Sequence, residues 1–464
     1  MKKDYFKPLV IVSLLLSLNS CSKEEKIYSF SISSFISQTG DKVKIVDDEL
    51  VSPFNTSTLC TIYYYDNDFT LEQLKEIESE VKDDFEYIHA LADCKYSYKY
   101  NNKDLINMKY LNDVSNQGKE IVVDDILFDM LQLGFSFSLN CEDLFNIFSG
   151  NLISVYDNQF NNLNDYQSEY DKTLTDTTSL KFSTFKSKDK IEKIKSTFPT
   201  TFSDMQDIIS LSSSRHSVQY SKYYNNYLNI SLDSFAKGYA TEYVANKLKS
   251  EYPNLSMIIN SGTSSIKSIG KRPDNKSWNV RYINPLYEEK EDNNSNFNDY
   301  EINISISDEF NISTSGYYER YFYNLEDNEM KLYSHIFNLS SLSSTNYFDQ
   351  VSVFLNNSAL ADLYTTTLFS TNSISEATSL FDLLNKRYNQ NDAALILVTK
   401  EKDGLYYQYK LSDFDLENKD NNSSLLNSIN EHYYVSSSLY EKTTQIKQSK
   451  LKHENKSIIS ELKL

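Results

Sequence analysis

Ser231-Leu232-Asp233-Ser234-Phe235-Ala236-Lys237-Gly238-Tyr239-Ala240 is the stretch on which the reading of this chain turns. Its second half opens a helix. From about Phe235 to Lys249, residues Ala236, Tyr239, Ala240, Tyr243 and Val244 recur toward one face. Just ahead, Tyr227-Leu228-Asn229-Ile230-Ser231 reads as a strand. Ser234 is then expected to open the helix. A helix start offers unpaired N–H groups and the positive end of the helix dipole, which suit an anion. Lys237 adds a point charge there, though a first-turn lysine is also at home simply solvated. Glycine points to the same region. The chain has nine glycines in 464 residues, and four of them, Gly238, Gly262, Gly270 and Gly316, fall between residues 231 and 316. Glycine is kept where backbone must come close to something or take positive φ, so the site is expected there.

Downstream, Ser256 to Asn260 is a short apolar strand ending in Ser261-Gly262, and residues 286–300 form a charged loop. Val351, Val353 and Leu355 alternate as a strand, and Asn357 or Ser358 can cap a helix running to about Ser370. On that helix Asp362 and Thr366 are four apart and share a face. Two hard oxygens so placed can hold one cation. By themselves they read more readily as a surface carboxylate and a hydroxyl satisfied by the helix backbone.

Upstream, Ser57 to Tyr65 reads as a strand, Leu71 to Cys94 and Ile121 to Leu139 as helices, and Phe145 to Gly150 as a turn. Residues 22–50 show no clear period. Residues 158–215 are the least patterned and read as an insertion with loosely attached helices. A short strand pair is expected after about Lys400. From Asn418 the chain is polar and expected to be partly helical or disordered. Strands and helices mix without strict βαβ alternation, so the class is α+β with mixed sheets.

Composition narrows the functions. With 46 basic and 65 acidic residues the formal charge is −19, which argues against a nucleic-acid partner. Lys2, Lys3 and the apolar run Pro8 to Leu18 have the pattern of a signal peptide. The run ends Leu18-Asn19-Ser20-Cys21, which resembles a bacterial lipobox and implies residues 1–21 as a lipoprotein signal, with lipidation at Cys21. Such an anchor would place the protein on the outer face of the cell membrane. Cys60, Cys94 and Cys141 have neither zinc-site nor Cys-x-x-Cys spacing and read as buried small hydrophobes, with one disulfide left open.

Four segments then carry a resemblance. Ser231 to Ala240 resembles the D-L-G-G-I-A-K-G-Y-A segment of the ApbE-type FAD:protein FMN transferases. Ile259-Asn260-Ser261-Gly262, Gly270-Lys271-Arg272-Pro273 and Trp278-Asn279-Val280 resemble the strand, turn and strand that follow. Ser313-Thr314-Ser315-Gly316-Tyr317-Tyr318-Glu319-Arg320 is similar to S-T-S-G-D-Y-E-R. His335-Ile336, then Leu360 to Leu368, resemble H-I and L-A-D-A-L-A-T-A-L. The resemblance covers about residues 51–400, between a lead-in at 22–50 and a C-terminal extension at 401–464. It implies a two-lobed fold with a ligand cleft between the lobes, and an Mg²⁺-dependent enzyme that moves FMN from FAD to a Thr or Ser of a partner flavoprotein. The acceptor would carry an Asp/Ser-Gly-Ala-Thr/Ser stretch, which this chain lacks. It further implies Asp362 and Lys237 in catalysis, and Asp362, Thr366 and a carbonyl near Ser234 as metal ligands. Ser231, Lys237, Gly238, His335, Ile336 and Asn146 would lie on the flavin side.

The match also departs from the family. Ser231 stands where the family has Asp, Asp233-Ser234 replaces its glycine pair, Tyr317 replaces the Asp of S-G-D-Y, and Asn338-Leu339 replaces Asp-Pro. The metal pair is kept better than the flavin-side residues. The alternative is therefore a catalytically degenerate lipoprotein of the same fold that binds flavin or a protein partner.

Overall fold

The structure is a computed structural model. It describes residues 25–464 apart from 142–143, 156–187, 197–198, 200–201, 222–228, 263, 284–300, 318–320, 327–328, 340, 342, 346, 403–404, 407–429, 437–438, 440–442, 449–458 and 463–464. Its centre is one large sheet whose strand order follows the chain: β1 (Glu25–Ile32), β2 (Thr58–Tyr65), β3 (Met257–Ser261), β4 (Ser265–Ile269), β5 (Asn311–Gly316), β6 (Gln350–Phe354), β7 (Ala394–Lys402), β8 (Asn430–Ser436) and β9 (Ile459–Leu462). Neighbours pair antiparallel up to β8, and β9 joins β8 in parallel. Leu405–Tyr406 turns back onto β7, which is the short strand pair expected after Lys400.

Helices cover one face. They are α1 (Leu71–Ala92), α2 (Asp125–Ser138), α3 (Ala236–Glu251), α4 (Ser358–Phe369) and α5 (Ile374–Tyr388). Thr70 opens α1 with a capping box, its side chain taking the Gln73 N–H while Gln73 returns the bond, and Leu74, Ile77, Val81, Phe85 and Ile88 form the buried stripe. Asn357 caps α4 through the Leu360 N–H, as expected. These stripes meet Ile62, Met257, Ile259, Val351 and Val353 of the sheet in the main core. The other sheet face packs Tyr63, Ile312, Phe354 and Ile396 against Trp278, Val280, Ile304 and Ile306, which lie on a small sheet of Trp278–Ile283, Glu301–Ile306 and Thr443–Gln448. Every residue of β6 is buried for that reason, and alternation in its sequence carries no exposed face. The class is α+β with several mixed sheets.

Several local readings are corrected. Ile121 and Val122 belong to a strand, Glu120–Val122, and α2 starts only at Asp125, where Asp124 caps the Ile126 N–H. That strand pairs with Ser217–Tyr220, itself paired with Ile209–Ser212. The end of the expected insertion is thus tied into a small sheet rather than loosely attached. Residues 22–50 were read as an unpatterned lead-in, yet 25–32 form the edge strand, and Val43, Ile45 and Val51 pack on Tyr98 and Ala90. In the polar tail the described residues are mainly strand, not helix, because β8 finds its hydrogen-bond partners on β7. Cys60, Cys94 and Cys141 are free thiols. Of the strand read at 227–231, residues 227–228 lie outside the described residues, and Asn229 forms a single parallel bridge with Ser149. The lipobox and the loop at 286–300 also lie outside the described residues. Among the described residues no helix is long and apolar enough to cross a membrane.

Candidate active site

The register of the sheet sets up the site. Thr58, Ser261, Ser265 and Ser313 stand side by side on β2, β3, β4 and β5. Facing residues in an antiparallel sheet point to the same side, so four small hydroxyls form one row. All four are buried. Thr58 Oγ1 donates to Ser261 Oγ at 3.3 Å, Ser261 lies 3.1 Å from Thr241 Oγ1 of α3, and Ser265 and Ser313 are 3.3 Å apart. The row leads to Asp362 of α4.

Asp362 is buried and its carboxylate takes three donors. Ser265 Oγ donates to Oδ1 at 2.6 Å, Ser313 Oγ donates to the same oxygen, and the Gly238 N–H donates to Oδ2 at 2.8 Å. Burial raises the Asp362 pKa above the ordinary carboxylate value. The Lys237 charge, the two serine hydroxyls and the Gly238 N–H pull it back.

This carboxylate caps α3 from outside. Phe235 occupies the N-cap position of α3 and has no side-chain cap bond. Ser234 therefore does not open the helix; it is half-buried in the preceding turn, and Asp362 supplies the missing acceptor. The exchange is reciprocal, because Glu242 of α3 accepts the Ser358 N–H at the start of α4 at 2.7 Å. Lys267 completes Glu242 at 3.0 Å. The amides expected to be open for an anion are partly spent. The Ala236 N–H goes to the Leu232 carbonyl and the Gly238 N–H to Asp362.

Gly238 is required here by contact. A Cβ on it would lie 2.5 Å from the Ser358 carbonyl oxygen and 2.6 Å from Asp362 Oδ2. The structure thus brings Lys237, Gly238 and Asp362 together. Thr366, one turn beyond Asp362 on α4, is half-buried. Thr365 lies the other way, donating to the Asp362 carbonyl and accepting from Ser315.

The flavin-side candidates are more scattered in role. Ser231 is buried, and its hydroxyl accepts the Asp233 N–H at 3.3 Å. Asn146 is buried with both polar ends on backbone, at the Phe148 N–H and the Pro199 carbonyl. Ile336 belongs to the main core and His335 is half-buried beside it. Tyr317, which stands in place of the family's Asp, is fully buried core.

Sequence reasoning missed three contributors. Ser313 reads only as part of a motif and Ser265 carries no signal of its own, and it is the register that turns both toward Asp362. Asn112 gave no signal at all. Its side chain donates to the Ile230 carbonyl at 2.9 Å and accepts the Ile230 N–H at 3.0 Å, so it pairs with the segment before α3 as a strand would.

The donor set fits a small hard cation. Oδ1 of Asp362 has both lone pairs engaged, while among the described residues Oδ2 accepts one N–H and keeps one lone pair. Thr366 adds a hydroxyl, and carbonyls of the turn at Ser234 lie ahead of α3. Among the described residues no group of three or more His, Cys, Asp or Glu could hold a metal. A cation held here needs further oxygens from a bound phosphate, as Mg²⁺ commonly does.

The fold defines a class, shared with solved proteins that are described as flavin transferases. A flavin transferase from Vibrio cholerae superposes with a TM-score of 0.52 at 12% identity, covering 84% of this chain and 99% of that one. The flavinyl transferase of Pseudomonas stutzeri gives 0.52 at 14% identity, over 83% and 95%. The ApbE protein of Thermotoga maritima gives 0.51 at 16%, over 77% and 94%. No curated protein matches the sequence. The chain belongs to the ApbE family, whose model matches residues 57–388.

Proposed function

We propose that this protein is an Mg²⁺-dependent FAD:protein FMN transferase. The observation that carries the reading is the Asp362 carboxylate, held between α3 and α4 with one lone pair of Oδ2 uncommitted among the described residues, and with Lys237 beside it. Family membership adds the reaction class. In that reaction an acceptor hydroxyl oxygen bonds to the FMN-side phosphorus of FAD. The pyrophosphate P–O bond breaks, AMP leaves and the hydroxyl proton is released.

Asp362 and Thr366 would hold the cation, with a carbonyl near Ser234 as a third ligand. Bound Mg²⁺ would neutralise charge developing on the phosphates. Lys237 would face the same phosphates as a point charge. Gly238 lets α3 approach Asp362 closely enough for its amide to fix the carboxylate. The acceptor would be a flavoprotein with an Asp/Ser-Gly-Ala-Thr/Ser stretch, and a lipid on Cys21 would keep the enzyme at the outer membrane face.

The second reading, a degenerate binding protein, draws on different observations. Ser231 spends its hydroxyl on its own turn, Tyr317 is core, and two α3 amides are satisfied internally.

One experiment separates the two. The form lacking residues 1–21 is mixed with FAD, Mg²⁺ and a carrier bearing the acceptor stretch, and covalent flavin fluorescence is read on the denatured carrier. Labelling is expected with the native site and lost in both Asp362→Asn and Asp362→Ala. FAD binding without labelling would favour the binding protein.

A further inference from the structure

We propose that Ser265 and Ser313 are positioning residues that select which oxygen of Asp362 meets a divalent cation. The inference deepens the cation reading above and rests on it. Both serines are fully buried, on neighbouring strands and directly opposite one another. Their hydroxyls are 3.3 Å apart and both donate to Oδ1. Two donors on one oxygen use both of its lone pairs. The Gly238 N–H reaches Oδ2 from the other side. Three donors on three different elements, β4, β5 and α3, therefore fix the carboxylate plane. It cannot turn to present both oxygens to a metal, and among the described residues a single lone pair on Oδ2 remains. A site with one protein carboxylate depends on that orientation more than one with several acidic ligands, because no second charge corrects a misplaced first.

Groups that orient a metal ligand change metal affinity when removed, commonly by about tenfold to a hundredfold. A hydroxyl that merely satisfies a buried carboxylate would change stability and leave affinity for the metal alone. Mn²⁺ stands in for Mg²⁺ as the probe. Its binding to the full chain in the presence of FAD is followed by the loss of the free-ion EPR signal, with the melting temperature of each variant recorded alongside.

Ser265→Ala and Ser313→Ala are expected to weaken Mn²⁺ by about tenfold or more. Ser313→Thr, which keeps the hydroxyl, is expected to stay within a few-fold of the native chain. Ser352→Ala serves as the control. Its buried hydroxyl pairs with Thr314, one residue along from Ser313 and on the opposite sheet face. If Ser313→Ala does not fold, Ser265→Ala, which leaves one donor on Oδ1, carries the test. Native-like Mn²⁺ binding in both alanine variants, with binding lost in Asp362→Asn, would overturn the positioning role and leave the cation site standing. Equal Mn²⁺ binding by the native chain and Asp362→Asn would overturn both.

Discussion

At position 238 a hydrogen atom is the whole side chain, and both flanking helices depend on it. Alanine there would press its Cβ to 2.5 Å from a backbone oxygen and 2.7 Å from Asp362 Cγ, neither of which can swing away. Gly238→Ala is expected to cost about 1–3 kcal/mol, as overpacking usually does, measurable as a lower urea midpoint with unchanged slope. A second residue-scale effect lies at His89. Its Nδ1 accepts the N–H of Phe54, which is held at φ 52° beside Asn55 at φ 53°. Burial lowers the His89 pKa, with Asp93 opposing. The neutral ring is therefore the folded form. Its stabilising contribution is full above the unfolded value of about 6.5 and is lost as pH falls through the lower folded value. Melting temperatures measured from about pH 7.5 to about pH 5 should fall more steeply for the native chain than for His89→Gln, which binds no proton in that range.

Between elements, the organising fact is that α3 and α4 cap each other. Asp362 serves the start of α3 and Glu242 the start of α4. Helix ends left without acceptors are costly when buried. Glu242→Ala leaves the Ser358 N–H without its acceptor and Lys267 without its carboxylate, so about 1–3 kcal/mol should be lost. Denaturant melts of Glu242→Ala against Glu242→Gln, which keeps an acceptor for Ser358, would show it. Helices α1 and α4 were legible in the sequence because the stripe of the one and the cap of the other are local. The mutual capping was not, because Gly238 and Asp362 are far apart in sequence and nothing in a one-dimensional pattern says which helix end a carboxylate will serve. Ile121 and Val122 read as helix for a related reason. They stand just ahead of Val123 and the capping Asp124 and continue the apolar spacing of α2, and only pairing with Ser217–Tyr220 separates them.

Across the whole molecule, the α+β class was legible because strand and helix patterns are local and mix without strict βαβ order. The hydroxyl row was not. It is a property of strand register, assembled from β2, β3, β4 and β5, and each serine looks like turn chemistry in its own neighbourhood. That same register has a geographic consequence. Ile32, the last residue of β1, lies level with Thr58, and so with the row that ends at Asp362, whereas Glu25 begins β1 at the opposite rim beside Tyr65. Seven strand steps separate the two rims, or about 23 Å at the usual rise. The lipid proposed on Cys21 would therefore tether the chain on the side of the rim where β1 begins, and would leave the Asp362 end free to meet a proposed partner at the other rim.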